Sequence, residues 1–128
     1  MAEYRCDHVH LRSADAEAAA HFYTEMFGAQ PAFRRIVDGM LRIGLDLNGL
    51  NLFIDQVPGG TPAAPPPPFI GIEHICLHVS GLDEAAAELR RKGAAFVVEP
   101  RELRPGVRYA FIEAPDGMRL ELIDRSAA

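Results

Sequence analysis

The sequence predicts an α+β fold of two β-α-β-β-β modules whose mixed sheets curl around a cleft. Three observations carry that prediction. The stretch Asp7-His8-Val9-His10-Leu11-Arg12 is written again 66 residues on as Glu73-His74-Ile75-Cys76-Leu77-His78, about half the 128-residue chain away, and recurrence at a fixed interval marks an internal duplication. Each copy runs into an Ala-rich stretch with helical spacing, closed by Gly28 or Gly93, and then into short strand-like runs separated by turn residues. Between the copies lies the run from Pro58 to Pro68, eleven residues with six prolines, which suits neither a helix nor a central strand. The expected organisation is one domain over 1–128, built of two repeats at about 4–57 and 69–125 and joined by the linker 58–68.

The first strand is expected over residues 4–12, with Val9 and Leu11 on one face and His8, His10 and Arg12 on the other. Ser13-Ala14-Asp15 offers an N-cap, and Ala16 to Met26 places Ala19, Phe22, Tyr23 and Met26 at i, i+3, i+4 and i+7 of a helix that Gly28 stops. Strands follow from Ala32 to Val37, Met40 to Leu47 and Leu50 to Asp55. The turns between them are Asp38-Gly39 and Asn48-Gly49, pairs that tolerate the positive φ of a tight hairpin. The second module repeats this order. It has a strand from Ile72 to Val79 and a helix from about Glu84 to Lys92, with cations in its last turn where the helix dipole favours them. Then come a strand at 95–99, a loop with Pro100 and Pro105-Gly106, and strands at 107–113 and 118–124 around Pro115-Asp116-Gly117.

Composition narrows the partners. The net charge is −5 and the only basic cluster is Arg90-Arg91-Lys92, so the footprint of a nucleic-acid binder is missing. No apolar run reaches the ~20 residues that span a membrane, and the N-terminal residues lack the apolar core of a signal peptide, so the cytoplasm is the expected compartment. Cys6 and Cys76 do not make a disulfide scaffold. Each lies two positions from a strand histidine, where it faces the cleft as a thiol or is simply a small apolar residue.

The chemistry gathers on the polar strand faces. Glu121 sits between Leu120 and Leu122 on the last strand, and Asn51 sits between Leu50 and Leu52 on the counterpart strand of the first module. If the leucines enter the core, His8, Asn51, His74 and Glu121 fill four equivalent inward positions. Two imidazoles and a carboxylate suit a divalent transition metal with open coordination sites.

These residues resemble the vicinal-oxygen-chelate superfamily, which includes glyoxalase I, methylmalonyl-CoA epimerase, extradiol dioxygenases and fosfomycin-resistance proteins. The marks are Asp7 to Leu11, the helix end Phe22-Tyr23-Thr24-Glu25-Met26-Phe27-Gly28, Glu73 to Leu77, and Pro115 to Leu122. The resemblance implies that His8, His74 and Glu121 bind a divalent metal ion (Zn, Ni, Fe, Mn or Co). It places Asn51 where glyoxalase I has a glutamate and the epimerase a glutamine, a departure that counts against a straightforward glyoxalase I. Asn51 then meets the metal through its carbonyl or leaves room for a water. Arg12 falls where glyoxalase I has an arginine for the glutathione carboxylate, and a guanidinium fork suits any substrate carboxylate. His10, His78 and Tyr109 remain for proton transfer.

The resemblance implies a glyoxalase-like lyase or isomerase binding two neighbouring oxygens of a small oxo or hydroxy acid derivative. The alternatives are an iron(II) extradiol-type dioxygenase and a metal-free, ligand-sequestering protein of the bleomycin-resistance kind. Each half, at about 60 residues, is too small to be secure alone. A homodimer with two equivalent clefts is therefore expected, whichever halves form each cleft.

Overall fold

The computed structural model describes residues 1–126. The chain divides into two compact units, Met1–Pro62 and Ala63–Ala128. Each holds one helix on one four-stranded mixed sheet.

The first unit contains β1 (Val9–Ser13), α1 (Ala16–Phe27), β2 (Gln30–Val37), β3 (Met40–Leu47) and β4 (Leu50–Gln56), with sheet order β1-β4-β3-β2. The two hairpins carry β2, β3 and β4 back as an antiparallel meander, and β1 then pairs parallel to β4. The second unit contains β5 (Ile75–His78), α2 (Leu82–Arg91), β6 (Phe96–Arg104), β7 (Val107–Glu113), a single 3-10 turn at Pro115–Gly117 and β8 (Arg119–Asp124). Its order, β5-β8-β7-β6, is the same topology.

The first strand of each unit is shorter than its hydrophobic pattern predicts. β1 starts at Val9 rather than residue 4, and β5 at Ile75 rather than 72. Each has one neighbour, and that neighbour starts at Leu50 or Arg119, just after a turn, so the ladder runs out there. The opposite edge strands are longer than predicted. β6 continues through Pro100, and β2 includes Pro31. Both are edge strands with register shifts at the proline, where a missing N–H costs no ladder bond.

The cores lie on the helix side of each sheet. In α1 the buried stripe is Ala16, Ala19, Ala20 and Tyr23, one step around from the predicted stripe, with Phe22 and Met26 half-buried. The alanines let the helix lie close on β3 and β4, over Ile43, Leu45, Leu52 and Ile54, all at most 3% exposed. Burying each such aliphatic side chain contributes roughly 1.5–3 kcal/mol. α2 buries Leu82, Ala86 and Leu89 against β6 and β8.

A strand side chain reaches the start of each helix. Gln56 at the end of β4 accepts a hydrogen bond from Ala16 N at 2.8 Å, beside the Asp15 cap. Asp124, at the matching end of β8, accepts from Gly81 N and Leu82 N at 3.0 Å each. Gly81 has no side chain to cap α2, so Asp124 does it from across the unit. Among the described residues no helix is long and apolar enough to cross a membrane.

Candidate metal and substrate site

Register fixes what stands on the face of each sheet away from its helix. In the first unit Phe33, Gly44, Phe53 and His10 form one row across β2, β3, β4 and β1. Arg35, Arg42, Asp55 and Arg12 form the next. In the second unit the corresponding rows are Val98, Phe111, Glu121 and Cys76, then Arg101, Tyr109, Ile123 and His78.

These rows correct the repeat alignment. Val9 pairs Leu52 and Ile75 pairs Leu120, so the first-unit counterpart of Glu121 is Phe53, and Asn51 corresponds to Arg119. Leu50-Asn51-Leu52 and Leu52-Phe53-Ile54 both read apolar-x-apolar, which makes a two-residue slip invisible in the pattern. Asn51 Nδ2 donates to the Asp7 carbonyl at 2.9 Å. Arg119, at the matching position, pairs with the carboxylate of Glu73. Both residues therefore fasten the segment that carries a histidine.

In each unit the acidic residue before the histidine holds its Nδ1. Asp7 Oδ2 lies 2.7 Å from His8 Nδ1, and Glu73 pairs with His74 Nδ1. The contacts with His74 and Arg119 hold the Glu73 carboxyl below its ordinary range. A carboxylate at Nδ1 fixes the tautomer and leaves Nε2 to act as a ligand. Beyond Nε2 the units differ. His74 Nε2 lies 2.9 Å from Glu121 Oε1, whose side chain is 14% exposed. His8 instead stacks on Phe53, with centroids 4.2 Å apart and 16° between planes.

His10 Nε2 lies 2.9 Å from Asp55 Oδ2. Arg42 clamps the same carboxylate, donating from Nε to Oδ1 at 2.7 Å and from Nη2 to Oδ2 at 3.0 Å. The Arg42 hydrogen bonds, with a smaller part from His10, hold Asp55 below the usual carboxylate range. Tyr109 accepts from Arg101 Nε at 2.9 Å, which leaves its O–H to donate elsewhere. His78 and Arg12 are exposed at the ends of β5 and β1. Cys76 sits level with Glu121; desolvation and that carboxylate push its thiol up to about 11, so it stays protonated near neutral pH.

Of the three expected ligands, His8 belongs to the first unit and His74 with Glu121 to the second. Among the described residues, neither unit by itself gathers three His, Cys, Asp or Glu side chains able to hold a metal. The donor chemistry nevertheless fits a metal: two imidazoles have Nδ1 engaged by a carboxylate, and the second has a carboxylate oxygen at its Nε2. A cavity of about 490 Å³ opens on the helix side of the first sheet, lined by Ala20, His21, Thr24 and Ile43 among others; no expected site residue lines it.

Asp55, Arg42, Phe53 and Phe33 escape the pattern of the sequence because their importance depends on register. The acidic residue before each histidine was visible as part of the repeat, and its contact with Nδ1 gives it a role.

Sheet topology and site together define a duplicated α+β protein with metal-competent side chains, and comparison places it. The chain belongs to the Glyoxalase/Bleomycin resistance protein/Dioxygenase superfamily, whose profile matches residues 5–122. It is 28% identical over 145 residues to a 2-epi-5-epi-valiolone epimerase from Actinomyces sp, covering 94% of this chain and 79% of that protein. A Synechocystis sp. protein named "Probable lactoylglutathione lyase" is 38% identical over 58 residues, 44% of each chain. The fold matches a mutant of the fosfomycin resistance protein FosX from Listeria monocytogenes, complexed with Mn(II) and 1S,2S-dihydroxypropylphosphonic acid. That match has a TM-score of 0.75 at 16% identity and covers 94% of this chain and 92% of that one.

Proposed function

We propose that the protein is a metal-dependent isomerase or lyase that binds two neighbouring oxygens of a small oxo or hydroxy acid derivative and moves a proton at the adjacent carbon. The observation that carries this reading is the acid–histidine pair written in both units, with His74 Nε2 at 2.9 Å from Glu121. The epimerase relative, matched over 94% of this chain, supports proton transfer at carbon.

In this reading His8, His74 and Glu121 hold the ion. When bound, a divalent metal polarises the two oxygens and stabilises negative charge developing on them. The residues of the chain do the rest. Phe53 replaces a carboxylate with an apolar ring, so proton transfer falls to another group. His10 is that group: Asp55 takes the Nε2 proton in a hydrogen bond, and Nδ1 is left to accept a proton from carbon. The Arg42 clamp keeps Asp55 ionised and in place. Tyr109, His78, Arg12 and Asn51 complete the polar lining, with Arg12 for a substrate carboxylate.

Elemental analysis of protein from metal-replete medium tests the reading. It should show stoichiometric metal, and incubation of oxo and hydroxy acids in heavy water should wash deuterium into the α-carbon. Protein with no metal, to which none can be restored, sinks it. We also propose a two-fold homodimer, expected to sediment at twice the chain mass; a monomer with a full metal site speaks against it.

A further inference from the structure

The rings on the first sheet point to a substrate class. At Gly44 an added Cβ would lie 2.1 Å from Phe33 Cε2, so the Phe33 ring fills the space a side chain would take. From there it meets Phe53 edge to face, with centroids 5.0 Å apart at 79°. Phe53 stacks on His8, and His10 meets Phe53 edge-on at 6.0 Å. Phe33 and Phe53 lie on the face away from α1, so the core under the helix does not require them, and both are only half-buried. The second unit arranges its rings differently: Phe111 stands at the Gly44 position and meets Tyr109 edge to face at 6.0 Å and His74 at 4.8 Å, while the carboxylate of Glu121 takes the place of Phe53, so no second phenyl ring is seated beside the histidine.

Cations border the corner. The Arg35 guanidinium lies 4.0 Å over the Phe33 ring. Arg35, Arg42 and Arg12 share their row with one carboxylate, Asp55, in a chain of net charge −5. A local cationic row in an acidic protein favours an anionic ligand.

We propose that the substrate carries an aromatic ring beside its oxo or hydroxy acid group, with the ring seated in the corner of Phe33 and Phe53 and its negative charge balanced by the arginine row. Edge-to-face contact selects a flat ring over a saturated one of similar size, because only the flat ring has the polarised edge and face that match these partners. This inference rests on the reading of the site as one for oxo and hydroxy acids.

Calorimetric titration of the metal-replete protein with 3-phenyllactate, 3-cyclohexyllactate and lactate tests it. Phenyllactate should bind about five-fold tighter than cyclohexyllactate and tighter still than lactate. Phe33→Ala should abolish the preference of phenyl over cyclohexyl, and Gly44→Ala should weaken it by displacing the ring. Phe33→Leu, which keeps apolar volume on an edge strand, serves if either variant fails to fold. Equal affinity for the two ring acids, no binding of phenyllactate at all, or a preference that survives Phe33→Leu overturns the inference. Metal content of the same samples separates the two ideas. Metal without aryl preference sinks this inference alone, whereas aryl preference without metal sinks the catalytic reading.

Discussion

The two units put the same backbone under different side chains. Over His74 the sheet presents the carboxylate of Glu121; over His8, at the same register position, it presents the ring of Phe53. Where the second unit has Phe111 filling β7, the first has Gly44 and borrows a ring from the edge strand. The row beyond holds Arg42, Asp55 and Arg12 in one unit and Tyr109, Ile123 and His78 in the other. Duplication thus supplied two scaffolds, and their faces have diverged: the second supplies more of the proposed metal ligation, the first the proposed proton transfer and ring binding.

Substitution at the two equivalent positions gives the largest expected effect. Glu121→Ala removes a proposed ligand and should lower metal affinity by about 100-fold, whereas Phe53→Ala should leave it nearly unchanged. Phe53→Glu would make the first unit resemble the second and should raise affinity by about ten-fold, on the scale seen for residues that tune a metal site. Titration against a competing chelator reads all three. Equal losses from Glu121→Ala and Phe53→Ala would show that the asymmetry between units has no bearing on metal.

A smaller effect is expected from the residues that hold Nδ1. Glu73 is pinned by both His74 and Arg119, while Asp7 has His8 on its carboxylate and Asn51 on its carbonyl. Glu73→Gln should cost about ten-fold in metal affinity, the lower end for partners of ligating histidines, and Asp7→Asn less, because Asp7 is 87% exposed. An Asp7→Asn loss larger than that of Glu73→Gln would reverse this ranking.

The fold was legible because its signals are local. The Asp-Gly and Asn-Gly hairpins and the glycine stops are each read within a few residues, the His-containing repeat needs only two such short stretches set side by side, and together they place the elements in order. The helix stripe was legible only to within one step, since Phe22 and Met26 are as apolar as the alanines that the helix in fact buries. Strand pairing is long-range and was not legible. Leu50-Asn51-Leu52 offered the same alternation as Leu52-Phe53-Ile54, and only the pairing of Val9 with Leu52 shows which central residue lies level with the strand after His8. The Asp55 contact with His10 and the reach of Phe33 over Gly44 were hidden for the same reason. Prolines misled in the opposite direction: Pro100 reads as a strand breaker, but an edge strand accommodates it.

The smallest expected effect concerns the helix starts, where the units solve one problem with different chemistry. Gln56 caps α1 from β4 and does not titrate. Asp124 caps α2 from β8 and takes hydrogen bonds from Ser126, Leu82 and Gly81, which together hold its carboxyl well below the ordinary value. The Arg108 guanidinium adds a favourable charge nearby. A carboxyl with a depressed folded pKa stabilises the fold fully above its unfolded value, 3.8, and that contribution is lost as pH falls below it towards the folded value. Asp124→Ala should therefore lower the melting temperature at neutral pH, with the gap to the parent protein closing progressively below about pH 4. Gln56→Ala should lower it by an amount that does not follow that titration. If the Asp124→Ala gap stays constant across the acid range, the helix-capping carboxylate is not ionised as drawn, and the two caps differ in name only.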